Sequence, residues 1–353
     1  MGLAAGDLHS HRFEVVWPRA SVLYGVTNSC NVCHPTTAGD PVAKIITDWA
    51  NPAPPASATA FHGATPPSFQ FQIPLNERVN PTRDGGVLCI TCHTAQGFVQ
   101  VAVNGRPILQ SDVNKIAKSS IAGDHGVSCD ACHGKRADGQ FYGSDANPLR
   151  IDKKTLCTTC HNNETVVFED FRDQGVPVRH PQKEMLAGNA GSTPPGVPDT
   201  ATTSHSGFSN GCITCHYDAS RGVATHAFTP NTATCAGCHP GLTTFNRPAR
   251  GDYDGDAVVE GIQDEVRGLL EVLKAALLTD PQMSFADNLF NYAGANDWKL
   301  TGASEVQKRS VFNWYSVQDD RSLGVHNVSR AVQLLQASYR ELTGSDVPGA
   351  TLR

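Results

Sequence analysis

Cys157-Thr158-Thr159-Cys160-His161 is a five-residue frame that occurs six times in the chain. The other copies are Cys30-Asn31-Val32-Cys33-His34, Cys89-Ile90-Thr91-Cys92-His93, Cys129-Asp130-Ala131-Cys132-His133, Cys212-Ile213-Thr214-Cys215-His216 and Cys235-Ala236-Gly237-Cys238-His239. The chain has 353 residues and 12 cysteines, all of them inside these frames. Every second cysteine is followed at once by a histidine. Outside the frames the apolar supply is thin: 39% of residues are hydrophobic and 7% aromatic. A length that suggests about two domains therefore comes without the material for two ordinary cores.

The spacing has a chemical reading. Two thiols about one helical turn apart meet the two vinyl groups on one edge of a porphyrin, and the adjacent imidazole swings under the ring to the iron. Structural zinc also uses paired Cys-x-x-Cys, but it has no use for a histidine after every second cysteine. A disulfide framework does not repeat one spacing with a constant neighbour. The expectation is six c-type haems, held by Cys30, Cys33, Cys89, Cys92, Cys129, Cys132, Cys157, Cys160, Cys212, Cys215, Cys235 and Cys238. His34, His93, His133, His161, His216 and His239 are then the proximal iron ligands.

Of 14 histidines, eight lie outside the frames: His9, His11, His62, His125, His180, His205, His226 and His326. Any one of them, taken singly, reads equally as a solvated loop residue. Together they meet or exceed the demand of six irons for a second imidazole. His125, His205 and His226 precede attachment frames by four, seven and nine residues. A histidine so placed rarely reaches over its own haem and more readily ligates a neighbour. His180 and His326 lie far from any frame, and read otherwise as an exposed turn and a helix start.

The frames begin at 30, 89, 129, 157, 212 and 235, so there is no fixed-period repeat. Loops rich in proline and glycine run between them, notably Asn51–Pro67 and Ala187–Ser206, where helical periodicity fails and proline removes backbone donors. Residues 1–250 are expected to be a haem-binding region of mostly irregular coil and short helices wrapped around six covalent haems, with little or no β-sheet. The porphyrins supply the missing core, and the 22 Pro and 32 Gly need not mean disorder. Residues 251–353 change character and form a C-terminal helical region expected to pack on the haem array. Val258, Ile262, Val266, Leu269, Leu273 and Leu277 recur at three and four, with Asp256 as the cap and Pro281 beyond the end. A second helix is expected over Ser304–Val317, and a third over Asn327–Leu342 with Gly344 as its stop. Their apolar stripes read as core, not as a docking face.

Charge and hydropathy exclude other classes. With 28 basic and 34 acidic residues, the net charge of −6 offers no footprint for nucleic acid or an anionic membrane. The longest apolar stretch, Leu269–Leu278, is interrupted by Glu271 and Lys274 and is far short of the ~20 residues that span a bilayer. Met1–Gly6 is too short for a signal peptide and has the small residues of the end of one, so a mature or near-mature chain is expected.

Several further phrases carry a resemblance: His11-Arg12-Phe13 ahead of Thr27-Asn28-Ser29-Cys30, His125-Gly126-Val127-Ser128-Cys129, Arg179-His180-Pro181-Gln182, Thr225-His226-Ala227-Phe228 and Gly324-Val325-His326-Asn327. With the six frames they span nearly the whole chain, which resembles a multihaem c-type cytochrome of the secreted respiratory and extracellular electron-transfer kind. In that group such histidines serve as distal ligands, which singles out His11, His125, His180, His205, His226 and His326 ahead of His9 and His62. The resemblance implies an electron carrier more than an enzyme, because iron with two histidines has no vacant site. Its partners are redox proteins or extracellular electron acceptors. A sharper form is a homopolymer, an extracellular haem filament (nanowire), in which His9 or His11 ligates iron in the adjacent subunit. The alternative is a periplasmic reductase of a nitrogen or sulfur oxyanion with one open haem. Nitrite reductases often replace a proximal histidine by lysine, whereas all six frames here end in histidine. Thioethers are normally made outside the cytoplasm, so the expected location is periplasmic or extracellular in a prokaryote.

Overall fold

Among the described residues, turn formers keep the elements before residue 250 short, and long helices form only where apolar periodicity is sustained. The computed structural model describes Cys92 and residues 95–106, 129–144, 147–163, 166–176, 178, 180–217, 228, 230–286, 288–294 and 299–353. The chain divides into two compact units, Met1–Cys160 with Asn210–Pro240 and His161–Ser209 with Gly241–Arg353. Among the described residues the only strands form two small antiparallel hairpins, so coil and short helices with little sheet is the observed architecture.

In the first unit a helical turn at Ala95–Phe98 runs on into a π-helical turn at Val99–Val103. Cys129–Cys132 forms another single turn. Strand β1 (Tyr142–Ser144) pairs with β2 (Asn147–Leu149), Tyr142 opposite Leu149. Phe98, Val103 and Ala131 are buried together, with Ile151, Leu156, Cys132 and Cys160 packed against them. This is a small apolar cluster, and it borrows cysteines as packing material.

The second unit builds a core of its own. Helices α1 (Phe168–Gln174) and α2 (Gln182–Ala187) precede α3 (Ile262–Leu277), then the hairpin of β3 (Met283–Ala286) and β4 (Leu289–Tyr292), then α4 (Glu305–Gln318) and α5 (Val328–Thr343). Val266, Leu269, Leu270, Leu273 and Leu277 of α3 are all buried, as the three-and-four spacing requires. They meet Val311, Phe312 and Val317 of α4 and Val332, Leu334 and Leu335 of α5 in one cluster. Helix α4 is the central one: every residue from Ser310 to Val317 is buried. Its aromatic polar groups are bonded internally: Trp314 Nε1 donates to Leu270 O at 2.9 Å and Tyr315 Oη accepts from Phe290 N at 3.0 Å.

The ends of α4 and α5 follow the signals in the sequence. Ser304 and Gln307 exchange hydrogen bonds in a capping box at the start of α4. Asn327 accepts from Arg330 N to cap α5, and Gly344 ends it at φ 76°. The start of α3 differs from expectation. Gly261, not Asp256, is the N-cap, and Val258 is exposed outside the helix. The acidic loop before it is occupied with itself: Asp252 accepts from Gly255 N and Ala257 N, and Asp256 from Val258 N. The buried Glu265 of α3 reaches back to accept from Tyr253 N at 2.6 Å and Glu260 N at 2.8 Å, which fixes the loop on the helix.

The proline-rich stretch after α2 is a loop, but a strapped one. Arg330, 1% exposed, donates through Nε to Ala190 O, through Nη1 to Pro198 O and through Nη2 to Thr193 Oγ1. Asn313 of α4 donates to Ser192 O and accepts from Ser192 N, and Asn327 donates to Ala201 O at 2.6 Å. Gly188 takes φ +87°, and a Cβ there would lie 2.0 Å from Ala201 O, so only glycine fits. Side-chain donors on α4 and α5 thus replace the regular secondary structure this segment cannot form. Among the described residues no helix is long and apolar enough to cross a membrane.

Two expectations follow. Arg330→Met leaves three loop acceptors without their donor and lowers unfolding stability by about 3 kcal/mol, whereas Arg340→Met, at an exposed pair with Asp346, costs less than about 1 kcal/mol; denaturant unfolding followed by circular dichroism measures both. Burial beside Gly268 and repulsion from Asp256, Glu265 and Asp252 push Asp254 up to about 6. Its protonated form is then favoured in the folded state, so wild-type stability relative to Asp254→Asn rises as pH falls through 6 towards 4. An unfolding-midpoint difference that stays flat over that range would remove this assignment.

Candidate functional site

To hold a porphyrin, a frame would need two thiols one turn apart, and in three described frames the backbone provides this with short-range bonds. Cys160 N donates to Cys157 O at 3.2 Å, Cys215 N to Cys212 O at 3.2 Å and Cys238 N to Cys235 O at 3.1 Å. His216 N and His239 N continue the turn, donating to Cys212 O and Cys235 O at 3.0 and 2.8 Å. The local fold therefore delivers cysteine, cysteine and histidine to one side of a tight turn.

Within the first unit the thiols of different frames approach one another. The Cys157 thiol is in contact with Cys212, and Cys160 with Cys92, with Cys132 close to both. Thiol–thiol contact and burial push Cys157 and Cys160 strongly up, keeping them neutral. Burial and the neighbouring Cys235 and Cys212 raise Cys215 likewise. Sulfur from five of the six frames is gathered here. Cys238 of the sixth frame is exposed.

The imidazoles are held by one recurring device. His133 Nδ1 lies 3.2 Å from Pro148 O, His216 Nδ1 2.9 Å from Phe228 O and His205 Nδ1 2.9 Å from Val325 O. A carbonyl oxygen only accepts, so each ring carries its proton on Nδ1, which makes Nε2 the basic nitrogen of the ring. His326 Nδ1 lies 2.6 Å from Asp320 Oδ1 and is held in the same sense by a carboxylate. For His133 the acceptor comes from β2, which runs along the third frame: Gly134 N donates to Pro148 O and Arg150 N to Cys132 O. Gly134 is at φ +128°, and a Cβ would collide with the Arg150 guanidinium, so the residue after this histidine has to be glycine.

His161 and His180 form the clearest pair. Their ring centres are 5.7 Å apart with planes at 82°. Two imidazoles on opposite sides of one ion, at the ~2.0–2.1 Å of a metal–imidazole bond, have ring centres roughly 6 Å apart, so the separation suits one iron between them. His180 adopts φ 57°, a left-handed conformation uncommon for a residue with Cβ, and α2 follows directly. Lys183 N donates to His161 O at 3.1 Å, tying the start of α2 to the frame histidine. Nearby, burial raises Glu184, whose carboxylate accepts from Asn163 N at 2.8 Å.

Of the expected ligands, His133, His161, His216, His239, His180, His205 and His326 lie among the described residues. His9, His11, His34, His62, His93, His125 and His226, with Cys30, Cys33 and Cys89, lie outside them, as does the side chain of Cys129. Asp320, Pro148, Phe228 and Val325, which orient the imidazoles, escaped the sequence reading. Three of those four act through a backbone carbonyl, which every residue has, and no spacing rule marks Asp320. The donor set fits a covalent haem: paired thiols on one turn, an adjacent imidazole and further imidazoles oriented through Nδ1.

Two solved structures resemble the chain. An undecahaem cytochrome from the S-layer of Carboxydothermus ferrireducens matches with a TM-score of 0.52 and 16% identity over 93% of this chain and 47% of that one. The outer cell wall cytochrome OcwA matches with a TM-score of 0.46 and 25% identity over 72% of this chain and 45% of that one. This chain spans less than half of either. No protein-family model matches it, and no curated protein does. The S-layer likeness shows the fold, that of a multihaem cytochrome. If Cys157 and Cys160 hold one haem, replacing both by alanine lowers the haem content by one per chain in intact-mass and haemochrome assays; an unchanged haem-to-protein ratio would exclude that frame as an attachment site.

Proposed function

We propose that the chain is an electron-transfer cytochrome with six covalently attached, bis-histidine haems in a closely spaced array. The observation that carries this reading is the facing pair His161 and His180, one from an attachment frame and one from a loop, at a distance suited to a shared iron. In each frame the two cysteines would hold the porphyrin edge and the histidine would ligate the iron. His180 would be the second ligand at the fourth frame, and His205 and His326, with His11, His125 and His226, would supply the others. When bound, each haem supplies a one-electron ferric/ferrous couple.

What the protein contributes is rigidity and proximity. Imidazoles fixed at Nδ1 hold the same orientation in both oxidation states, which suits rapid exchange of electrons. Contacts between thiols of the second and fourth frames, and of the fourth and fifth, support neighbouring porphyrins close enough for direct transfer. The haem attachment chemistry supports an extracytoplasmic location, and the names of the two similar proteins, from an outer cell wall and an S-layer, point the same way. Redox proteins or extracellular acceptors are the partners. Eight histidines outside the frames leave two beyond the needs of six irons, so His9 or His11, near the start of the sequence, can ligate iron in an adjacent subunit, and the proposed assembly is a filament. Electron microscopy tests it: filaments at micromolar protein support it, and dispersed particles at every concentration leave a monomeric carrier.

Spin state separates this function from a reductase. The oxidised protein should be wholly low-spin and inert to cyanide and nitric oxide, with the highly anisotropic ferric resonance of near-perpendicular imidazoles among its signals. A high-spin, ligand-binding haem in the wild type would make it a reductase wired by the remaining haems. His180→Ala should convert one haem, and only one, to a cyanide-binding form.

A further inference from the structure

The four imidazoles held through Nδ1 are not held by equivalent groups. His133, His205 and His216 face neutral carbonyl oxygens. His326 faces the carboxylate of Asp320 at 2.6 Å. That carboxylate is buried, its side chain 1% exposed, so its charge is poorly screened by water. Its other oxygen accepts from Ser322 Oγ, and the same hydroxyl accepts from His326 N at 3.1 Å. The turn joining α4 to α5 thus folds into a small ring of bonds, Asp320 to His326 to Ser322 and back, with the imidazole at its rim. Gln182 at the start of α2 donates to Asp319 O at 3.0 Å and anchors the turn from the other side.

We propose that Asp320 is a positioning residue that lowers the reduction potential of the haem ligated by His326. The inference rests on His326 being an iron ligand, as proposed above. A carboxylate on Nδ1–H draws the proton towards itself and raises the basicity of Nε2. A more basic imidazole gives more electron density to iron and stabilises the ferric state over the ferrous. The proton stays between Nδ1 and Oδ1, and the change at iron is one electron in either direction. A carbonyl acceptor, as at His133, His205 and His216, polarises its imidazole less.

The test is a spectropotentiometric titration of the haem-loaded full chain. Asp320→Asn keeps the size and a hydrogen-bond acceptor but removes the charge. One of the haem waves should move to more positive potential by about tenfold in the ferric-to-ferrous ratio, which is ~59 mV for a one-electron couple, with haem content and low-spin character unchanged. Ser322→Ala removes the hydroxyl that shares the carboxylate's charge, so it should move the same wave in the negative direction. If Asp320→Asn fails to load its haems, the Ser322→Ala titration decides. His326→Ala distinguishes the two levels of the inference. If it creates a high-spin haem while neither of the other variants shifts any wave, the role of Asp320 is overturned and the ligation reading stands. If it leaves every haem low-spin, His326 is not a ligand and both fall.

Discussion

An imidazole presents its lone pair in a fixed direction only if the rest of the ring is held, and here the hold is a hydrogen bond at Nδ1. The chain spends much of its tertiary structure on supplying those acceptors. Strand β2 brings Pro148 to His133, a loop brings Phe228 to His216, and the turn between α4 and α5 brings Val325 to His205 and Asp320 to His326. The acceptor sets the tautomer, and the tautomer decides which nitrogen meets a metal.

The two units solve the shortage of apolar residues differently. In the second, α3, α4 and α5 concentrate leucine, valine and aromatic side chains into one cluster, and the loop after α2 is carried on it by Arg330, Asn313 and Asn327. His205 stands at the end of that loop and accepts its orientation from Val325 beside His326. The helical core is therefore the foundation on which two loop histidines are set. In the first unit the described cluster is small and packs directly against Cys132 and Cys160. Thiols and short turns occupy the place that aliphatic side chains take elsewhere, which is consistent with a cofactor completing the interior.

Different features were legible to different degrees. Six frames with one spacing announce attachment chemistry because the requirement is local: two thiols and an imidazole within one turn. The helices α4 and α5 were equally readable, since Ser304 with Gln307 and Asn327 with Gly344 are local capping signals. The start of α3 was not, because Asp256 has the composition of a cap while its carboxylate is engaged by Val258 N inside its own loop. Glu265, four residues into the helix, reaches back to the loop and moves the boundary to Gly261.

The residues themselves determined the six Cys-x-x-Cys-His frames and the position of the C-terminal helices, because each depends on neighbours within a turn or two along the chain. Only the tertiary structure decided that His161 faces His180, that residues 161–209 join the C-terminal helices in one unit, and that His326 rests on a carboxylate where its counterparts rest on carbonyls. Those relations join elements up to 140 residues apart, as from Arg330 to Ala190. They depend on the direction of side chains and carbonyls after packing, which composition and spacing do not encode.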